Sequence, residues 1–168
     1  MPPALIRGAT DAVPFFVVHE ARIRKIAQQQ NADIRVLAAW ADLGFDVAST
    51  SLVAREDSIA KEPEALKAFL RATLKGADYA FRDKHYEEGV GYLIKSHPEV
   101  DKDGALGAAQ VATRFVYADE VTSGKVAVGQ FEPARVEKTR DLYTQYLELK
   151  RKVALEEIYT NDLLPEKK

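Results

Sequence analysis

The sequence predicts an α/β fold: a small sheet with many helices. Three observations lead there. Three short runs rich in β-branched and aromatic residues lie in the first third of the chain. A long amphipathic helical pattern follows at residues 62–81. Helical periodicity then dominates to the carboxyl terminus. The expected organisation is one domain, with a sheet-bearing part at residues 1–60, a helical part at residues 61–164 and a disordered charged tail at residues 165–168.

Residues 62–81 carry the strongest pattern. Pro63 suits a first helical position, where its missing N–H is no loss and its φ is already helical. Glu62 and Glu64 put negative charge at the positive end of the helix dipole. Leu66, Phe69, Leu70, Thr73, Leu74, Ala77, Ala80 and Phe81 recur at three- and four-residue steps and share a face. Lys67, Arg71, Lys75 and Asp78 fall mostly off it. A helix this apolar on one side has to dock, and the expected partner is a sheet built by the segments before it.

From the amino terminus, residues 5–10 read as the end of a helix stopped at Gly8. Residues 12–18 are the first predicted strand, with Pro14 at its start or on an edge because proline cannot donate to a ladder. Residues 20–30 read as a helix with Ile23, Ile26 and Ala27 facing inward, broken at Asn31. Residues 34–38 are a second strand, residues 40–45 a loop around Gly44, and residues 48–54 a third strand. Beyond the long helix, residues 85–95 bury Tyr86, Val90, Leu93 and Ile94 and stop before Pro98. Asp101 or Asp103 caps a helix at residues 104–115, whose Ala105, Gly107, Ala108, Ala109 and Ala112 let a neighbour approach closely. Residues 121–131 form a loop, and Glu132 with Pro133 repeats the helix start. Residues 134–147 carry Val136, Leu142, Tyr143, Tyr146 and Leu147, and residues 153–158 add a last turn or two.

Composition narrows the function. A length of 168 residues suffices for a sizeable core. A formal charge of −2 lacks the basic stripe of a nucleic-acid binder, so no nucleic-acid partner is expected. The absence of cysteine excludes disulfides, thiolate nucleophiles and cysteine metal sites. No apolar run approaches the ~18–20 residues of a membrane span, and residues 1–8 lack the regions of a secretory signal. Dinucleotide, P-loop, nucleophile-elbow and zincin motifs are all missing. The expectation is a non-catalytic protein with no cofactor and no metal ligand.

His19 and Glu20 follow the first predicted strand, and side chains at the end of a buried strand often line a site. His85 and His97 read as exposed surface histidines. Trp40, the single tryptophan, stands at a strand end beside the Asp42-Leu43-Gly44 turn, where it is either core or pocket wall. Phe15, Phe16, Phe45 and Tyr117 divide between the same two readings. The run Ser49-Thr50-Ser51 either donates to an anionic or amide ligand or forms the solvent face of its strand. Lys150-Arg151-Lys152 is a solvated helix end.

Five pieces then fall into a known order. They are residues 4–13 (ALIRGATDAV), the pair His19-Glu20, the Asp42-Leu43-Gly44 turn with the strand through Ser51-Leu52-Val53-Ala54, residues 59–80 (IAKEPEALKAFLRA followed by Gly76-Ala77-Asp78-Tyr79-Ala80), and residues 157–164 (EIYTNDLL). In this order they resemble the carboxyl-terminal half of ABC-transporter substrate-binding proteins of the type that serves thiamine-precursor pyrimidines, taurine, alkanesulfonates and nitrate. The resemblance implies one lobe of a type II periplasmic binding protein plus its C-terminal return helices. It implies a small-molecule ligand, a membrane permease as partner and a periplasmic location, at odds with the missing signal. The ligand contacts it implies are Phe15, Phe16, His19, Glu20, Trp40 and Asp42. Glu20 would reach a ligand amine or amide, Phe15 or Phe16 would stack on a ring, and Trp40 and Asp42 would line the mouth. A full member carries a second lobe, so the chain is expected to bind weakly or not at all alone. Its docking faces are expected to be apolar and to drive a homo-oligomer. Two alternatives stay open: an interaction domain without a ligand, and a relative of thiamine-pyrimidine synthesis enzymes, which the missing cysteine disfavours.

Overall fold

The computed structural model of the chain describes residues 2–37, 40–48, 50–147 and 149–165. In chain order its elements are α1 (Pro2–Ile6), a 3-10 turn (Val17–His19) continuous with α2 (Glu20–Gln29), a 3-10 turn (Trp40–Leu43), α3 (Glu56–Lys61), α4 (Pro63–Ala77), one turn of π-helix (Asp78–Arg82), α5 (Tyr86–Ser96), α6 (Lys102–Val116), α7 (Asp119–Thr122), α8 (Pro133–Tyr146) and a 3-10 turn (Leu155–Glu157).

The predicted sheet is absent: no strand forms among the described residues, which corrects the α/β expectation to a helical architecture. The three runs lie extended or irregular, and each has a physical reason not to pair. Pro14 removes a ladder donor from the first, and Val17–His19 tightens instead into a 3-10 turn leading into α2. In the second, Leu37 stays 78% exposed, so no face is buried to hold a register. In the third, residues 50–57 are all exposed and Val53 reaches 91%. Just before it, side chains take the place of a ladder. The Ala48 N–H donates to Thr139 Oγ1 at 2.8 Å, and Lys138 Nζ donates to the Gly44 carbonyl at 2.7 Å. Arg135 donates from a terminal nitrogen to Asp46 at 3.2 Å. Its Nε lies 3.1 Å from the other carboxylate oxygen but off line for a hydrogen bond, so charge and the terminal N–H hold that pair. Parts of the second and third runs, residues 38 and 49, lie outside the described residues, as do residues 166–168 of the expected tail.

The chain divides into two units. The first comprises Met1–Ala39 and Ala77–Ala118. α6 is its centre, packed against α2, α5, the Val17–His19 turn and the π turn. Its buried apolar residues are Ile6, Ala27, Val90 and Val111. Glycine sets the spacing of α2 and α6: a Cβ on Gly107 would stand 2.6 Å from the Ala21 Cβ. Asp101 caps α6 by accepting from the Gly104 N–H at 2.8 Å. Lys25 Nζ ties α2 to that cap, donating to Asp101 at 3.0 Å and Asp103 at 2.9 Å. Hydrogen bonds from Lys25 and then from the Gly104 N–H hold the Asp101 carboxyl below the usual aspartate range.

The second unit comprises Trp40–Gly76 and Asp119–Lys168. α3 stops at Glu62, whose φ of −130° leaves the helical region because Pro63 follows. α4 then starts at Pro63, as the sequence predicts, but the twenty-residue helix pattern ends early, at Ala77. In α8, Val136 and Arg140 are buried, and Arg140 donates to Asp141 at 2.9 Å and Glu137 at 2.8 Å. Asn161 pins the final segment: its Oδ1 accepts from the Phe131 N–H at 2.9 Å, and its Nδ2 donates to the Phe131 carbonyl at 3.0 Å. The Phe131 and Tyr159 rings pack beside it, 5.2 Å between centroids.

Little apolar surface is hidden. The chain exposes 12669 Å², against about 10,000 Å² for two separate compact bodies of half its mass. Leu93, expected to be buried, is exposed, and so are Tyr143, Tyr146 and Leu147 of the 134–147 segment.

Packing generates three predictions. Gly107→Val is expected to destabilise by ~1–3 kcal/mol in urea denaturation, since the new side chain has to push α2 off α6. Gly91→Ala, in α5 with nothing within 4 Å of the new Cβ, should stabilise by up to ~1 kcal/mol. Asn161→Ala is expected to cost about 2 kcal/mol in the same measurement, because it leaves both backbone groups of Phe131 without their partner.

Candidate functional site

Four of the six predicted ligand residues come together in the first unit. Phe16 ends the extended stretch, Val17–His19 turns, and α2 begins at Glu20. The turn folds the His19 ring against both phenylalanines. Its centroid lies 6.2 Å from Phe15 and 6.5 Å from Phe16, edge to face in each case at 82° and 76°. Phe16 is 67% exposed and Phe15 38%, so this three-ring cluster faces solvent. Glu20 accepts from Arg24 Nε at 2.7 Å, one turn along α2, and not from His19.

Trp40 and Asp42 belong to the second unit. Trp40 meets Phe45 edge to face, 6.0 Å between centroids at 89°, and is 59% exposed. Gly44 makes this pair possible: its φ of +87° closes the turn in which the Phe45 N–H donates to the Trp40 carbonyl at 2.8 Å. The side chain of Asp42 lies outside the described residues.

A second group in the first unit escaped the sequence reading. The π turn Asp78–Arg82 and a left-handed Lys84 (φ +61°) bring the His85 ring parallel to Tyr79, with centroids 4.1 Å apart and planes at 12°. The Tyr79 hydroxyl donates to Glu88 at 2.6 Å, and the Tyr92 hydroxyl donates to the other carboxylate oxygen at 3.0 Å. These bonds, Tyr79 first, hold the Glu88 carboxyl below the usual glutamate range. Lys102 pairs with Glu87 at 2.9 Å. Beside them an open cleft of about 370 Å³ is lined by Lys84, His85, Glu87, Glu88, Leu106 and Gln110 together with Tyr86. Behind it, the Tyr117 hydroxyl donates to Asp78 at 2.6 Å, and burial followed by that bond pushes the phenol far up, so it stays protonated. His85 is exposed, as its sequence context predicts. Its ring stack was not legible, because a six-residue separation matches no helical spacing and depends on where the helix ends.

Residues 1–85 match the family described as NMT1/THI5 like. The chain belongs to the NMT1/THI5-like family. Members are ABC substrate-binding proteins of the thiamine-precursor, sulfonate and nitrate types, mostly non-catalytic and typically periplasmic. The family match supports a substrate-binding role, with a membrane permease as the partner that ABC systems imply. It spans all six predicted residues and the Tyr79–His85 stack, while the remainder of the cleft, residues 86–110, lies past it. No curated protein and no solved structure matches the chain. Among the described residues, no group of His, Asp and Glu is placed to hold a metal ion, and no helix is long and apolar enough to cross a membrane.

The two tyrosine hydroxyls make a pH-dependent contribution. Glu88 is depressed in the folded chain, so its stabilisation is fully present above the ordinary glutamate pKa and is lost as pH falls through the lower folded value. Replacing Tyr79 and Tyr92 together by Phe is expected to return the Glu88 titration, followed by carbon NMR, toward the ordinary glutamate value. Glu88→Gln should flatten this part of the acid limb of stability.

Proposed function

We propose that this chain is a solute-binding component of an ABC import system for a small pyrimidine, sulfonate or similar ligand. It works in the periplasm with a membrane permease. The observation that carries the reading is the solvent-facing Phe15–Phe16–His19 cluster inside the family-matched stretch. Exposed aromatic faces with an adjacent imidazole suit a flat or weakly polar ligand: the rings stack and the imidazole edge hydrogen-bonds. Glu20 sits one residue on and supplies an acceptor for a ligand amine, in exchange with Arg24. Trp40, paired with Phe45, forms a second contact group, and Asp42 follows it two residues on in the chain.

The aromatic cluster is open, whereas a small ligand usually has ~70–90% of its surface covered. The chain by itself therefore holds its solute weakly, and tight binding requires a second surface over the cluster.

Thermal-shift measurements with a pyrimidine, taurine or an alkanesulfonate, and nitrate, each at millimolar concentration, are expected to show one class raising Tm by mass action. Phe16→Ala should remove that rise and leave the ligand-free Tm unchanged, since Phe16 is mostly exposed. Calorimetry should give weak affinity. No response to any class, or a response that survives Phe16→Ala, overturns the assignment.

A further inference from the structure

α4 carries two apolar faces, and its own unit half-buries only one of them. Leu66, Leu70 and Leu74 are half-buried, and Leu74 reaches the turn at Gly129. Ala65, Phe69, Ala72 and Gly76 form a second line at steps of four, three and four residues, and all four are exposed. That spacing is the seam of a helix pair. Its one large side chain, Phe69, is 57% exposed. No residue of α4 is fully buried.

We propose that this seam is an interface with a second copy of the chain, with two α4 helices packed antiparallel about a two-fold axis between Leu70 and Arg71. Three features select a second copy. The first is shape. A two-fold at that point sets Phe69 of each helix against Ala72 of the other, and Ala65 against Gly76, so a large residue meets a small one. The second is charge. α4 is acidic in its first turn, at Glu64, and basic in its last, at Lys75. Glu64 and Lys75 lie on the same flank of the seam, and same-side flanks meet in an antiparallel pair. Each Glu64 therefore faces the Lys75 of the other copy, while within one chain Glu64 pairs with Lys67, at 2.9 Å. The third is area. The chain exposes 12669 Å², about 2,700 Å² above two compact bodies of half its mass, enough for the share of about 1,000–2,500 Å² that each partner of an obligate interface buries. A seam of fifteen residues, about 22 Å long, covers only part of that surplus. The pairing is accordingly concentration-dependent.

Sedimentation velocity of the full chain across a concentration series tests this, with circular dichroism confirming that each variant folds. The wild-type chain is expected to shift from monomer to dimer as concentration rises. Phe69→Glu and Ala72→Glu, both at exposed positions, should abolish the dimer, and Tyr146→Glu, exposed on α8, should leave it intact. Glu64→Lys or Lys75→Glu alone should weaken the dimer, and the two together should restore it. A monomer at every concentration overturns the proposal, including one that sediments with anionic vesicles instead. So does a dimer indifferent to Phe69→Glu and Ala72→Glu, or a charge swap without rescue, since parallel pairing does not bring Glu64 to Lys75.

Discussion

The first unit rests on how closely α2 can lie over α6. Gly107 has no side chain where Ala21 arrives, and any Cβ there would stand 2.6 Å from a methyl group that cannot move away. Because the helices meet so closely, Lys25 reaches both Asp101 and Asp103 at the head of α6, and the Val17–His19 turn lies against α6 as well. The aromatic cluster inherits its geometry from this contact. His19 leads directly into α2, so the helix that Gly107 admits also aims the imidazole between Phe15 and Phe16.

The second unit is organised by polar side chains more than by a core. Thr139, Lys138 and Arg135 on α8 receive residues 44–48, and Asn161 clamps Phe131. Among the described residues, only Val136 and Arg140 are buried there. Large apolar side chains consequently stay exposed, Trp40, Leu52, Val53 and Phe69 among them, and such side chains suit contact with other surfaces. A substrate-binding family fits that demand, since its members work by covering a solute and by docking on a permease.

Helix starts were the most legible part of the sequence. Pro63, Pro133 and Asp101 begin or cap helices as their chemistry requires, because these effects act within a single turn. The small-residue face of α6 was legible for a related reason: glycine and alanine leave space whatever the neighbour is. The strands failed because β-branched runs state only a local preference, and a ladder needs a second segment at the right distance. The end of the long helix failed as well. The apolar pattern continues through Phe81, yet the backbone widens into a π turn at Asp78, where the hydroxyl of Tyr117, just past the end of α6, donates to the Asp78 carboxylate.

Among the site residues, the neighbourhood of Phe15, Phe16, His19 and Glu20 could be read directly, since they lie within six positions of one another. The ring geometry could not, because it comes from a 3-10 turn that the sequence presents as strand. The Tyr79–His85–Glu88 group and its cleft were hidden altogether, assembled across a helix end and a left-handed lysine. By itself the sequence determined where helices start, the helix faces able to pack closely and the family, all of which depend on neighbouring residues or on their order. Tertiary structure alone decided that no sheet forms, which aromatic rings meet and which apolar faces remain open, because each depends on contacts between segments far apart in the chain.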